Sequence, residues 1–403
     1  MHLRYDRILI AAVVAVWAVA LVLGGTYLVS ARGAAGTIDS GKVAQDATGT
    51  TRVSGASPKP TAPPTTAAHA AAPSTTTSPV TTLRKTLTIA AGGDVIGDRD
   101  VGTFIDENGG EAVLADVAPL LRESQVAFVN LESPLSNKGA RNTAKDVTFR
   151  GRTPLVKGLD AAGVDVVSLA NNHALDWGPK ALLDTVARLD AAGIAHAGAG
   201  ADLGAARAPA LLETASGTVA VLAYTQILPD GFAAGADRAG VNPGRGDRGR
   251  LLADIAAAAK RADWVVVSFH WGIEYTGQAS REQRELAHDA VDAGADMVLG
   301  HHPHVLQGLE LYRNKLIAYS LGDFVFDHYS RATGETVVLE IEMPPAGPPS
   351  FRITPVYLSE SHGIPHVVTG AEAGSILRRI SGFSADLGLQ LTVTDGRAVF
   401  SAP

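Results

Sequence analysis

An α/β fold is what this sequence predicts, on three observations. Short apolar runs recur as candidate strands, stretches with apolar residues at three- and four-residue spacing separate them, and five of the runs end in carboxylate, amide or imidazole side chains. Such alternation implies a sheet with helices on its faces, and ligands of such sheets gather beyond the carboxyl ends of the strands.

The chain opens differently. It is unbroken apolar from Ile8 to Leu23, and no charge follows until Arg32. About 20 apolar residues cross a ~30 Å hydrocarbon core, so residues 1–30 read as a membrane anchor, and Arg4 and Arg7 before the apolar run favour a cytoplasmic amino terminus. The protein is then single-pass in the cell membrane with its main domain extracytoplasmic. A cleaved signal peptide is the competing reading, with Ala31-Arg32-Gly33 a poor cleavage site, and it would make the protein secreted. Residues 31–84 are rich in Thr, Pro, Ala and Ser with no Phe, Trp or Tyr, a composition that cannot bury enough apolar surface to offset ordering. They read as a disordered linker, whose proline runs could reach on the order of 100 Å.

Residues 85–403 read as the folded domain. Its expected strands are Leu87–Ala91, Val126–Leu131, Val164–Ala170, Val219–Tyr224, Trp264–Phe269, Met297–Leu299, Leu316–Ser320, Val337–Ile341 and Ile353–Leu358. Its expected helices are Pro179–Ala192, Arg250–Arg261 and Arg281–Ala293, with Gly163, Gly193 and Gly294 at helix ends as C-termini prefer. Phe351–Pro403, with one more helix at Ala371–Ser381, reads as an appended layer of the same domain.

The strand ends carry the chemistry. Gly92 and Gly93 before Asp94 would let the backbone approach an ion, although a helix N-cap would use the same aspartate. Glu132 closes Phe128–Leu131, where a carboxylate beside a buried strand needs a partner. Asn171, Asn172 and His173 close Val166–Ala170 and could supply an amide oxygen and an imidazole acid, though turn chemistry explains either cluster equally well alone. His302 and His304 would diverge in extended chain, and a tight turn at Pro303 would let both face one ion. His270, with Glu274 behind it, adds a further strand end. Oxygen and nitrogen donors converging from separate strands are what one or two divalent ions require.

Composition removes other classes. The chain has no cysteine, so disulfide frameworks and thiolate catalysis are excluded. A net charge of −7 with scattered basic residues argues against nucleic acid. Gly244–Gly249 has dinucleotide-loop spacing but no preceding strand, and no Gly-x-Ser-x-Gly elbow is present.

Taken in order, Gly93-Asp94, Asn130-Leu131-Glu132, Ser168-Leu169-Ala170-Asn171-Asn172-His173, Phe269-His270-Trp271-Gly272-x-Glu274, Gly300-His301-His302-Pro303-His304 and Ser320-Leu321-Gly322-Asp323-Phe324 resemble the CapA family. That family is named for poly-γ-glutamate capsule biosynthesis and is related to the calcineurin-like metallophosphoesterases. The resemblance spans about residues 86–385 and implies a four-layer α-β-β-α sandwich with two divalent metals, Mn, Fe, Zn and Mg all being admissible. It implies Asp94 and His304 as ligands of the first metal, Asn172, His270 and His302 of the second, Glu132 as the shared carboxylate, and His173 as the acid for a leaving oxygen. Three positions depart from the pattern: Ile96 stands where the phosphoesterases have histidine, Glu132 where they have aspartate, and Asp323 where CapA proteins usually have asparagine. Arg150, Arg152 and Glu274 are expected at the substrate.

The function so implied is synthesis or export of an anionic envelope polymer of the poly-γ-glutamate type, with the membrane, the polymer and its synthase subunits as partners. A metal-dependent phosphoesterase acting on an envelope phosphoester and a non-catalytic, metal-stabilised scaffold are the alternatives.

Overall fold

A computed structural model describes residues 85–394 and 396–400, so the anchor and linker expected in residues 1–84 lie outside the described residues. Among the described residues no helix is long and apolar enough to cross a membrane.

The strands, in chain order, are β1 (Leu87–Val95), β2 (Val126–Leu131), β3 (Val166–Ser168), β4 (Ala195–Ala197), β5 (Ala199–Gly200), β6 (Ala210–Thr214), β7 (Gly217–Thr225), β8 (Gly240–Val241) and β9 (Trp264–His270). They continue as β10 (Met297–His301), β11 (Leu309–Tyr312), β12 (Lys315–Ala318), β13 (Asp323–Val325), β14 (Glu335–Met343), β15 (Ser350–Leu358), β16 (Pro365–Val367), β17 (Thr392–Thr394) and β18 (Arg397–Phe400). Two large sheets result. The first runs β17-β18-β15-β14-β1-β2-β3-β4, with β13 added beside β1 and β16 beside β15; the second runs β11-β12-β10-β9-β7-β6. β1 to β4 are parallel, as are β7, β9, β10 and β12.

Alternation along the strands sorts the apolar side chains into three cores. Ile89, Ala91, Phe128, Val221, Val266 and Leu299 meet between the two sheets. Ala90, Ala127, Val129 and Val167 face the helices that include Leu155–Ala162 and Gly178–Ala192. Val265, Val267 and Val298 face Leu251 and Ile255 of Arg248–Ala258 and Leu286 and Ala290 of Arg281–Asp292. Parallel strands buried on both faces read as near-continuous apolar runs, which is why they stand out in the sequence. In the carboxyl-terminal part, β16 to β18 extend the edge of the first sheet, while Ile376, Leu377 and Ile380 of the helix Gly370–Asp386 enter the core between the sheets.

Element ends differ from expectation for local reasons. The expected strand from Val164 shortens to β3, because Gly163 closes the preceding helix in a left-handed conformation at φ 79° and the chain leaves the ladder after Ser168. Gly93 admits another backbone rather than an ion: a Cβ there would lie 1.9 Å from the carbonyl oxygen of Gly322. That carbonyl accepts the Asp94 N–H at 3.0 Å, and the register sets Asp94 opposite Asp323.

Candidate metal centre

Strands from both sheets deliver polar side chains to one place. Asp94 lies near the end of β1 and Glu132 just past β2; His270 ends β9, and His302 and His304 follow β10. All five are buried. His302 and His304 adopt left-handed backbone at φ 95° and 57°, so the turn expected at Pro303 is made by the histidines themselves. Their rings lie 5.7 Å apart, and the His270 ring lies 4.8 Å from that of His302.

Neighbouring amide groups position the candidate ligands. Asn130 Nδ2 donates to Asp94 Oδ1 at 2.8 Å, and Asn171 Nδ2 donates to the Leu131 carbonyl at 2.8 Å. The His302 N–H donates to Asp94 Oδ2 at 3.1 Å. His301 Nδ1 lies 3.3 Å from Asp94 Oδ1 without the alignment of a hydrogen bond. His270 Nε2 meets Asn172 Oδ1 at 2.7 Å, which places two of the three expected second-metal ligands together.

Orphaned atoms test whether a metal fits. Both Glu132 carboxylate oxygens and His302 Nδ1 are buried without a hydrogen-bond partner, a state that costs a polar group on the order of 1–3 kcal/mol and a charged one more. Asp94, Glu132 and His270 present donor atoms within 4.8 Å of one another, as do Glu132, His302 and His304, and Asp94, His304 and Asp323. Asp94, Glu132 and His304 each belong to two of these groups. Oxygen and imidazole donors without thiolate suit Mg, Mn, Fe or Zn.

Asp323 is the ligand candidate that the sequence reading passed over. Ile96 is buried among apolar residues on the helix side of the first sheet and supplies no donor, while β13 brings the Asp323 carboxylate beside Asp94.

The buried groups of the cluster shift one another's protonation. Burial, reinforced by the negative charge of Asp94, pushes the Glu132 carboxyl well above its ordinary value. Burial also raises Asp323, to about 7, against the pull of His304. For His304, burial disfavours the charged form, but Asp323, Glu132 and Asp94 together raise it to about 10. Its Nδ1 lies 2.7 Å from Asp323 Oδ1. Burial and then His304 lower His302 to about 3.

His173 stands at the edge of this cluster. Its Nδ1 meets Asp176 Oδ2 at 2.5 Å, its ring lies 4.2 Å from that of Phe149, and Lys145 Nζ donates to Asp176 and to the Asn172 carbonyl. Burial lowers His173 to about 4, with Asp176 opposing. Asp176 is legible in retrospect as His173-x-x-Asp176, whereas nothing in the sequence around Lys145 marks it.

A cavity of about 350 Å³ opens on the cluster, lined among others by Asn172, His173, Glu274, His304, Asp323, Arg99 and Lys145. Glu274 is among the lining residues. Arg150 and Arg152 do not line it. Arg150 stacks over Trp177 at 4.0 Å and donates to the Ser136 carbonyl, and Arg152 pairs with Asp106 and Asp98. A larger groove of about 480 Å³, lined by Glu123, Glu340, Glu342 and Arg352, holds none of the candidate ligands.

Fold and site define a mixed α/β protein with several sheets and buried histidine, aspartate and glutamate groups able to hold a metal ion. The comparisons give the family: residues 88–328 match the bacterial capsule synthesis protein PGA_cap family, and the chain belongs to it. The PGA biosynthesis protein CapA of Bacillus subtilis (strain 168) is 32% identical over 310 residues, covering 76% of this chain and 80% of that protein. The capsule biosynthesis protein CapA of Bacillus anthracis is 33% identical over 294 residues, covering 71% and 70%. A probable polyglutamine synthesis accessory protein of Mycobacterium tuberculosis (strain ATCC 25618 / H37Rv) is 39% identical over 216 residues, covering 51% and 56%.

Proposed function

We propose that this chain acts, with bound divalent metal, on an anionic envelope polymer of the poly-γ-glutamate type, and that its layers are those of a metallophosphatase-like α-β-β-α sandwich. Residues 1–30 hold it in the membrane and the folded domain works outside, beside the polymer synthase. The observation that carries this reading is the buried donor cluster opening onto a cavity in a chain of the capsule-synthesis family.

Four carboxylates line the cavity, Asp146, Glu274, Asp323 and Asp327, against the cations Arg99 and Lys145. An anionic chain would meet repulsion there, so its binding depends on metal. The ligand assignments are Asp94, His304 and Asp323 on one side, Asn172, His270 and His302 on the other, with Glu132 shared. When bound, divalent ions supply Lewis-acid polarisation of a carbonyl or phosphoryl oxygen. A carboxylate only accepts hydrogen bonds, so His173 keeps its proton on Nδ1 toward Asp176. With its value lowered to about 4, the ring is neutral near pH 7. It therefore accepts a proton at Nε2 before it can pass one to a leaving group.

A phosphoester substrate is the second reading, and Asp323 favours it by restoring a donor where Ile96 removes one. Chromosomal Glu132→Gln and His302→Ala variants test the first reading. Cell-surface γ-linked polyglutamate should vanish in both, while purified metal-loaded protein should release no phosphate from phosphoesters above a metal-free control. Polymer at parental levels in both variants would refute it.

A further inference from the structure

We propose that Arg99, Asp327 and Tyr329, at the cavity wall, form a subsite that reads a carbon bearing both a carboxylate and an N–H group. Every unit of a γ-linked glutamyl chain has such a carbon, and the inference rests on the polymer reading above.

The three residues form a closed set with two open ends. Arg99 Nη1 donates to Asp327 Oδ2 at 3.0 Å and to the Tyr329 hydroxyl at 2.7 Å, and that hydroxyl donates to the same Asp327 oxygen at 2.6 Å. A guanidinium has five N–H donors, and Arg99 Nε and Nη2 make no hydrogen bond among the described residues. Asp327 Oδ1 is buried and unpartnered on a side chain only 10% exposed. The free donors suit a carboxylate and the free acceptor suits an N–H. A bare phosphate or dicarboxylate would satisfy the first and be repelled by the second.

Placement supports a role at the reacting unit. Arg99 is a non-glycine residue at φ 53°, a strained conformation of the kind that clusters at ligand clamps. Its guanidinium lies 4.7 Å from the Phe149 ring centroid, and the same ring packs on His173. Lys145, the other cation of the cavity wall, is committed to Asp176 and Asn172. Arg99 is thus the cation of the wall with donors to spare.

The test measures binding of a fluorescent γ-linked glutamyl pentamer to full-length, manganese-loaded protein in detergent, with N-acetylglutamate and glutarate as competitors. N-acetylglutamate, which carries the N–H, should compete better than glutarate, which lacks it. Arg99→Ala should weaken pentamer binding by about 10- to 100-fold, the range of a lost charge-assisted hydrogen bond. Asp327→Asn should weaken it about tenfold without weakening glutarate. Manganese content should stay unchanged in both, and Asp327→Asn, which keeps the side chain's shape, remains readable if Arg99→Ala misfolds. Wild-type protein that binds no pentamer would sink the polymer reading together with this one. Wild-type binding left intact by both variants, or equal competition by the two small acids, would sink the subsite alone.

Discussion

Glu132→Gln should stabilise the metal-free protein and destabilise the metal-loaded one. Glu132 is fully buried, neither carboxylate oxygen has a hydrogen-bond partner, and Asp94 adds to burial in raising its value well above 4.5. Without metal near pH 7, folding must either bury that charge or protonate it. Protonating a group of ordinary value 4.5 at pH 7 costs about 3 kcal/mol at 1.36 kcal/mol per unit. Glutamine avoids that step, so a gain of about 1–3 kcal/mol is expected after allowance for its own imperfect hydrogen bonding. An unfolding entropy of roughly 2.1 cal/mol/K per residue over roughly 300 residues converts this to about 2–5 °C in Tm. With metal at about 1,000 times its Kd, the native chain gains about 4.1 kcal/mol, or roughly 6 °C, which the variant forgoes and which exceeds its metal-free gain. Scanning calorimetry of the two proteins with and without manganese should show the order of Tm values reverse. A Glu132→Gln variant less stable than the parent under both conditions would refute the reasoning.

Asp323→Asn should lower retention of one metal at least about tenfold, since even outer-shell changes cost 10–100-fold, and metal analysis after dialysis against a weak chelator reads it. His173→Ala should lower any hydrolytic kcat by ~10² to 10⁴ with metal content unchanged; loss of metal would show that His173 is a ligand. In the metal-free protein the raised value of His304, about 10, gives stabilisation that is full below 6.5 and lost as pH rises through about 10. The lowered values of His173 and His302, about 4 and 3, give stabilisation that is present above 6.5 and lost as pH falls through them. Tm against pH should therefore fall on both sides for metal-free protein, and manganese should flatten the alkaline limb. Protease added to intact spheroplasts should release the folded domain if residues 31–403 lie outside, and full protection would contradict that placement.

The strand ends were legible because buried parallel strands spell apolar runs, and a charged or imidazole group directly after such a run is conspicuous. Asp94, Glu132, His270, His302 and His304 share that signature, and the structure brings them together. Asp323 was legible only as a departure from a pattern, because its place beside Asp94 depends on β13 pairing with β1 across a long stretch of sequence. Asp176, Lys145 and Arg99 act through loops and a helix start, where no periodicity fixes direction. Arg150 and Arg152 follow an apolar triplet as a substrate cation might, but one stacks on Trp177 and donates to Ser136, the other pairs with Asp98 and Asp106, and neither lines the cavity. Positive φ at His302 and His304 has only a faint signal in residue type, since it is uncommon outside glycine even though histidine is among the residues enriched there.

The candidate ligands come from two different sheets, with Asp94, Glu132, Asn172 and Asp323 on one and His270, His302 and His304 on the other. A bound ion would therefore act as a rivet through the seam where Ile89, Phe128, Val266 and Leu299 meet. Native-state hydrogen exchange should feel it far from the ligands. Amides along β1, β2, β9 and β10 should slow together on metal loading, as one cooperative unit, whereas the outer edge at β17 and β18 should exchange at the same rate with or without the ion.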